Sequence, residues 1–117
     1  MIKIYHNPRC SKSRIALDTL KKSVDEIEVI EYLTDLFTEE SLKKVVKQLA
    51  IKPLELIRKN EPVYVEHFKG KEYSNDEWIK IMVENPKLIQ RPIVVINSVA
   101  CIARDEESLN NLITGRK

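Results

Sequence analysis

The sequence has few cysteines, and their spacing gives them no partners. Its 117 residues include only two, Cys10 and Cys101, which lie far apart. This count and spacing exclude a disulfide scaffold and a zinc cluster. Ser13 stands where a Cys-x-x-Cys motif would place its second thiol. If Cys10 is redox-active, it therefore works as a monothiol, and another molecule must resolve it.

The net charge is also small, and the sequence has no long apolar run. The formal charge is +2, which is too low to predict a nucleic-acid or membrane partner. No apolar run approaches the roughly 18 residues of a membrane-spanning helix, and nothing resembles a signal peptide. We therefore expect a cytoplasmic protein. With 43% hydrophobic and 32% charged residues, the chain has an ordinary composition for one globular domain with a single core.

Residues 5–14, Tyr-His-Asn-Pro-Arg-Cys-Ser-Lys-Ser-Arg, are the most informative stretch. They follow a short apolar strand pattern, and Asn7-Pro8 marks a turn. Apolar residues with helical spacing come next, so Cys10 is predicted at a helix N-terminus. Free backbone N–H groups and nearby cationic side chains there favour the thiolate and lower the cysteine pKa. The same position suits an anion. The alternative is that Cys10 is a buried structural thiol.

The rest of the chain gives a clear order of elements. Strands are predicted near 2–5, 27–32, 93–96 and 99–103, the last two as an antiparallel hairpin apolar on both faces. Helices are predicted to begin at Cys10, after the N-cap Thr38, at 53, at the capping box 74–77 and at 105. Segment 61–73 is ambiguous, because Val63-Tyr64-Val65 has a strand pattern. The order is strand-helix-strand, a helical block, then strand-strand-helix.

The stretch 5–14 resembles the active-site loop of the ArsC family, the glutaredoxin-coupled arsenate reductases and their close relatives. The resemblance implies an α/β, thioredoxin-like (glutaredoxin-like) fold, whose mixed sheet carries a helical insertion between the second and third strands. One ArsC-like domain is expected over 1–117, with 1–34 and 87–117 as the core and 35–86 as the insertion. The resemblance also implies that 61–73 is helical and that the Arg91–Pro92 peptide bond is cis.

Three arginines stand in contexts that resemble family motifs: Arg58 in Leu-Ile-Arg-Lys-Asn, Arg91 in Gln-Arg-Pro-Ile-Val, and Arg104 after Ala103. In the family these arginines surround the catalytic cysteine and bind arsenate or the arseno-cysteine adduct. Planar guanidinium groups suit a tetrahedral oxyanion because they bond it through two N–H groups at once. The alternative for each arginine is a solvated surface charge.

Two further residues have open roles. His6 matches the family's His-Asn-Pro, and it either tunes the thiol or orients the loop. The alternative is a loop histidine that is hydrogen-bonded to the backbone. Ser13 either donates a hydrogen bond to the thiolate or is an ordinary first-turn serine. Cys101 lies in an apolar strand and is expected to be inert.

The resemblance implies an enzyme in which the Cys10 thiolate attacks arsenate, glutathione attacks the adduct, glutaredoxin resolves the mixed disulfide, and arsenite leaves. No metal or bound organic cofactor is implied. The Cys-x5-Arg loop of the phosphatase-like arsenate reductases is excluded, because Ala16 occupies the arginine position. Two alternatives remain: an Spx-like redox regulator that binds RNA polymerase, although Ser13 breaks the Cys-x-x-Cys that those proteins usually carry, and a thiol oxidoreductase with another substrate.

Overall fold

The computed structural model describes residues 2–23, 26–103 and 105–115. Four strands form one mixed sheet in the order β2-β1-β3-β4. The strands are β1 (Ile2–Tyr5), β2 (Ile27–Ile30), β3 (Ile93–Ile96) and β4 (Val99–Ile102). Strand β1 pairs in parallel with β2 and antiparallel with β3, and β3 and β4 form an antiparallel hairpin. The α/β class with a mixed sheet is therefore confirmed.

Helices account for most of the remaining described chain. They are α1 (Ser11–Ser23), α2 (Glu39–Leu49), α3 (Pro62–His67), α4 (Asn75–Glu84) and α5 (Glu106–Gly115), with short 3-10 helices at Pro53–Leu56 and Pro86–Leu88. Three of the α-helices and both 3-10 helices lie between β2 and β3, as the predicted insertion requires. None of the helices in the described ranges is long and apolar enough to cross a membrane.

The chain divides into two compact units. The first comprises Met1–Asp35 and Arg91–Lys117, and the second Leu36–Gln90. The predicted insertion spans 35–86, so this division places the return to the first unit a few residues later. The assignment of the whole chain to one domain stays a prediction.

The first unit has an apolar core formed by the sheet with α1 and α5. Its buried members are Ile2, Ile4, Ala16, Leu20, Val94, Ile96, Ala103 and Leu109. All four residues of β3, a central strand, are buried, so both of its faces are covered. Strand β4 is an edge strand, and Val99 on it is 58% exposed. The prediction that both hairpin strands are buried on both faces is therefore right for β3 and wrong for β4.

In the second unit, local sequence signals set the helix ends. The Thr38 hydroxyl accepts the Ser41 amide N–H at 3.0 Å, and the Ser41 hydroxyl accepts the Thr38 N–H at 2.9 Å. Ser74 and Glu77 form the same reciprocal capping box at α4. Both predicted caps are confirmed, since each depends only on neighbouring residues. The ambiguous segment is helical over Pro62–His67, and the predicted helix at 53–58 is a 3-10 turn that ends at Leu56.

Helix α2 ends at a residue in an unfavourable conformation. Its C-cap, Ala50, has φ 57° and ψ 41°, in the left-handed region that favours glycine. We expect Ala50→Gly to raise the free energy of unfolding by about 1 kcal/mol, because glycine has no Cβ penalty there. Lys44→Gly, at an exposed position inside the same helix, should lower it by about 1 kcal/mol. Urea unfolding followed by circular dichroism measures both. A loss of stability in Ala50→Gly would contradict the assigned cap.

Candidate active site

The pairing of β1 with β3 brings two distant segments to one end of the sheet. Tyr5, the last residue of β1, is opposite Ile93, the first residue of β3. Because the strands are antiparallel, the loop that leaves β1 and the residues that enter β3 lie at the same sheet end. Cys10 lies in the loop after β1, and Arg91 lies just before β3. The Arg91–Pro92 bond at this entry is cis, as predicted.

Hydrogen bonds between residues close in sequence hold the loop that carries Cys10. The Cys10 amide donates to the carbonyl of Asn7 at 3.0 Å, and the Arg9 amide donates to the Asn7 side-chain oxygen at 3.0 Å. The Arg14 guanidinium donates to the carbonyl of Pro8 at 3.1 Å. Helix α1 begins at the next residue, Ser11, so Cys10 occupies the predicted helix N-terminus.

The environment of Cys10 stabilises its thiolate. Partial burial alone would raise the pKa of this thiol, but opposing interactions outweigh it and lower the pKa below the ordinary value. They are the backbone N–H of Ser13, a hydrogen bond and positive charge from the Arg91 guanidinium, and the backbone N–H of Lys12. Both backbone groups belong to the first turn of α1, whose amides lack intrahelical acceptors. Of the two cysteines, Cys10 is therefore the one whose thiolate the surrounding groups stabilise, and its catalytic role stays a prediction.

The Ser13 side chain has a different task from its backbone. The hydroxyl is fully buried, accepts the Asn7 amide N–H at 3.0 Å and lies 2.6 Å from His6 Nδ1. Either tautomer of His6 satisfies the second contact, because a hydroxyl can donate or accept. The serine hydroxyl thus ties the loop to the helix, while its N–H is directed at the thiolate.

His6 is a buried member of this network. Its side chain is mostly shielded from solvent, and burial is the main cause that lowers its pKa from the ordinary value. Its amide donates to the Ile30 carbonyl at 2.8 Å, which extends the pairing of β1 with β2. Of its predicted roles, this geometry supports orientation of the loop, because the imidazole contacts the Ser13 hydroxyl.

Arg91 has one N–H group without an acceptor. Its Nε is buried and makes no hydrogen bond within the described ranges. A buried donor without an acceptor is costly in a folded protein. The guanidinium therefore contacts the nucleophile and also has capacity to bind a further acceptor.

The other two predicted arginines have different outcomes. Arg58 belongs to the second unit, where its amide donates to the Leu88 carbonyl at 2.7 Å and its Nη1 pairs with Glu61 at 2.8 Å. Arg104 lies outside the described residues. Their roles as oxyanion ligands stay predictions. In the ranges that the structure describes, no group of three or more His, Cys, Asp or Glu residues is placed to hold a metal ion.

Cys101 has the opposite environment to Cys10. It lies on β4, and its Sγ is 3.8 Å from the carbonyl oxygen of Ser108. Burial, with a smaller effect of the Asp105 carboxylate, raises the pKa of this thiol to about 11. A thiol with this pKa stays protonated at neutral pH, which agrees with the expectation that Cys101 is inert, and the expectation stays a prediction.

The backbone N–H groups of Ser13 and Lys12 stabilise the thiolate, as expected of free amides at a helix N-terminus. Sequence reasoning missed one feature of the site. It gave Asn7 only a turn role, although this residue accepts from two amides and is buried. The Asn-Pro pair at a predicted strand-to-helix turn could have indicated the Asn7 side-chain contact.

Comparison with known proteins places this arrangement in context. The ArsC family model matches residues 5–112. A protein of Escherichia coli K12, named uncharacterized protein YfgD, is 41% identical over 114 residues. The match covers 96% of this chain and 96% of that protein. An arsenate reductase of Neisseria meningitidis serogroup A is 32% identical over 114 residues, covering 96% of this chain and 97% of that protein.

Among solved structures, an arsenate reductase from Vibrio cholerae superposes with a TM-score of 0.87 at 39% identity. The match covers 93% of this chain and 95% of that one. The fold is thioredoxin-like, as the resemblance of residues 5–14 implied.

The role of Arg91 in thiol activation can be tested by titration. We expect Arg91→Gln to raise the pKa of Cys10, because it removes a positive charge and a charged donor. Absorbance of the thiolate near 240 nm against pH measures this, in a Cys101→Ala background so that one thiol is observed. Arg14→Gln is the control, since Arg14 donates to the Pro8 carbonyl and not to the sulfur. An unchanged pKa in Arg91→Gln would contradict the contact.

Ser13→Ala separates the two roles of Ser13. The variant keeps the backbone N–H that faces the thiolate, so the pKa of Cys10 should rise less than in Arg91→Gln. It leaves the Asn7 amide without its buried acceptor, so the free energy of unfolding should fall by about 1–3 kcal/mol. Thiolate titration and urea unfolding give the two values. A pKa rise as large as that of Arg91→Gln would show that the hydroxyl is the thiolate donor.

Proposed function

This chain belongs to the ArsC family, and from that premise we propose that it is an arsenate reductase-like thiol oxidoreductase that reduces arsenate to arsenite. The observation that carries the proposal is the Arg91 guanidinium, which hydrogen-bonds Cys10 and keeps an unpaired buried Nε. An oxyanion oxygen would supply the missing acceptor. Since Nε is closed to solvent, the guanidinium must turn as the oxyanion binds.

The first chemical step is attack of the Cys10 thiolate on arsenic. A sulfur–arsenic bond forms and one arsenic oxygen leaves as hydroxide or, after protonation, as water. In our proposal Arg91, Arg58 and Arg104 hold the remaining oxygens, and their charges stabilise the negative charge during displacement. His6 and Ser13 do not touch the substrate, but keep the loop in place. Pro92 fixes the entry of β3 beside it.

The second step transfers two electrons to arsenic. A glutathione thiolate attacks the Cys10 sulfur, the sulfur–arsenic bond breaks, and its electron pair remains on arsenic, which leaves as arsenite. Two thiols have then been oxidised to one mixed disulfide, so the electrons balance. Glutaredoxin removes the glutathione and restores the Cys10 thiolate. An external thiol is needed in this scheme because Cys101 remains protonated. We propose that the reaction runs in the reducing cytoplasm.

The coupled assay tests this function directly. Arsenate-dependent NADPH oxidation is followed with glutathione, glutaredoxin and glutathione reductase. We expect activity in the wild type and a loss of about ten- to a hundredfold in Arg91→Lys, since lysine keeps the charge but loses the planar fork. Alkylation of Cys10 by iodoacetamide should fall much less, because it needs only the thiolate. Arg9→Lys, an exposed arginine in the same loop, is the matched control.

The two rates also separate the alternatives. Equal losses of turnover and alkylation in Arg91→Lys would mean that Arg91 only tunes the thiol. No arsenate-dependent turnover in the wild type, with Cys10 still forming a mixed disulfide, would indicate a thiol oxidoreductase for another substrate. Turnover with thioredoxin and thioredoxin reductase in place of the glutathione components would contradict the glutaredoxin coupling.

A further inference from the structure

A cavity of about 130 Å³ lies in the first unit beside the Cys10 loop. Helix α1 lines one side with Ile15, Ala16 and Thr19, and the segment after β4 lines the other with Ala103 and Leu109. Its surface is mostly apolar. Two links connect it to the site: Lys12, whose N–H faces the Cys10 sulfur, also lines the cavity, and the Ala103 amide donates to the Pro92 carbonyl at 2.8 Å.

The size of the cavity indicates what it could hold. Pockets for small-molecule ligands usually measure about 300–1,000 Å³, so this one is small for a whole cofactor or peptide. It matches a single apolar side chain inserted by a partner, which is how interface anchors bind. Ile15 at its edge is 50% exposed. A large apolar side chain exposed beside an apolar cavity is typical of an interaction surface.

Three exposed cationic side chains lie in the Cys10 loop and the first turn of α1, and one carboxylate, that of Asp105, also lines the cavity. Arg9, Lys12 and Arg14 are all exposed, and none of them forms an ion pair within the described part of the chain. Asp105, which also lines the cavity, accepts the Ser108 amide N–H at 2.7 Å as the cap of α5. The three cationic side chains therefore face solvent without a salt bridge in the described residues, and they outnumber the one carboxylate at the cavity. An acidic surface would complement them.

We propose that this cavity and its basic rim dock the protein thiol that regenerates Cys10. The partner is a thiol reductant that places one apolar side chain in the cavity and acidic residues against Arg9, Lys12 and Arg14. This proposal rests on the proposed function, because it assumes that a protein thiol resolves the Cys10 mixed disulfide. The position of the partner follows from the chemistry, because the sulfur of the partner must reach a disulfide on Cys10. The partner surface next to that sulfur then covers α1.

The step is a thiol–disulfide exchange. The partner's thiolate attacks the glutathione sulfur of the Cys10–glutathione disulfide, a new sulfur–sulfur bond forms, and Cys10 leaves as a thiolate. The partner carries the glutathione away as its own mixed disulfide. No other oxidant or reductant is needed. The lowered pKa of Cys10 makes it a good leaving group in this exchange.

The test measures regeneration without arsenate. The Cys10–glutathione disulfide is prepared with oxidised glutathione, and its reduction is followed with glutaredoxin and, separately, with dithiothreitol. Ile15→Asp removes the exposed apolar contact and adds a repelling charge, and Ala16→Leu fills the cavity without changing charge. We expect each to slow the glutaredoxin reaction by about tenfold or more, and to change the dithiothreitol reaction less than about twofold.

A matched control uses another exposed apolar residue. Val29 is 43% exposed on β2, at the sheet edge opposite β4. Val29→Asp introduces the same charge and should leave both rates unchanged. Added salt should slow the wild-type reaction with glutaredoxin more than that with dithiothreitol, because only the protein partner has a complementary surface.

Several results would overturn the proposal. Equal slowing of the glutaredoxin and dithiothreitol reactions would mean that the variants disturb the thiol itself. Unchanged glutaredoxin rates in both Ile15→Asp and Ala16→Leu would place the partner elsewhere. Variants that slow only the reduction by dithiothreitol, and not that by glutaredoxin, would assign the cavity to a low-molecular-weight thiol. Because arsenate is absent, failure here is distinct from failure of arsenate reduction in the coupled assay.

Discussion

The site depends on the central position of β1 in the sheet. This strand pairs on one side with β2 and on the other with β3, and the register sets Tyr5 against Ile93. A slip of one residue would turn every side chain of β1 to the other face. The fully buried Ile4 and the nearly buried Ile2 resist such a slip, because both belong to the apolar core. Apolar packing under the sheet thus positions a polar loop and an arginine at its end.

The two cysteines show how local environment decides reactivity. Both are partly buried, and burial alone raises the pKa of each thiol. At Cys10, helix N–H groups and the Arg91 guanidinium outweigh the burial, whereas Cys101 faces a carbonyl oxygen and a carboxylate. The first arrangement stabilises the thiolate and the second stabilises the thiol. One chain therefore carries a thiol whose charged form is favoured, in the loop before α1, and a thiol whose neutral form is favoured, on β4.

Ser13 explains how a monothiol site can be well ordered. Its side chain is buried against His6 and Asn7, while its backbone N–H serves the thiolate. The position that a second cysteine would occupy in a dithiol motif is used to hold the loop. In our proposals an adduct on Cys10 is resolved by another molecule, which gives the exposed surface around α1 its significance.

The sequence by itself determined the features that depend on near neighbours. The capping boxes at Thr38 and Ser74, the helix start after Cys10 and the order of strands and helices follow from short patterns, because those interactions span only a few residues. Family resemblance added the fold and the arginine candidates. Only the tertiary structure decided that Arg91 contacts Cys10, that β4 is a partly exposed edge strand, and that the Ser13 hydroxyl binds His6 and not the thiolate. Each of these depends on strand register and on burial between distant segments, which local sequence patterns do not specify.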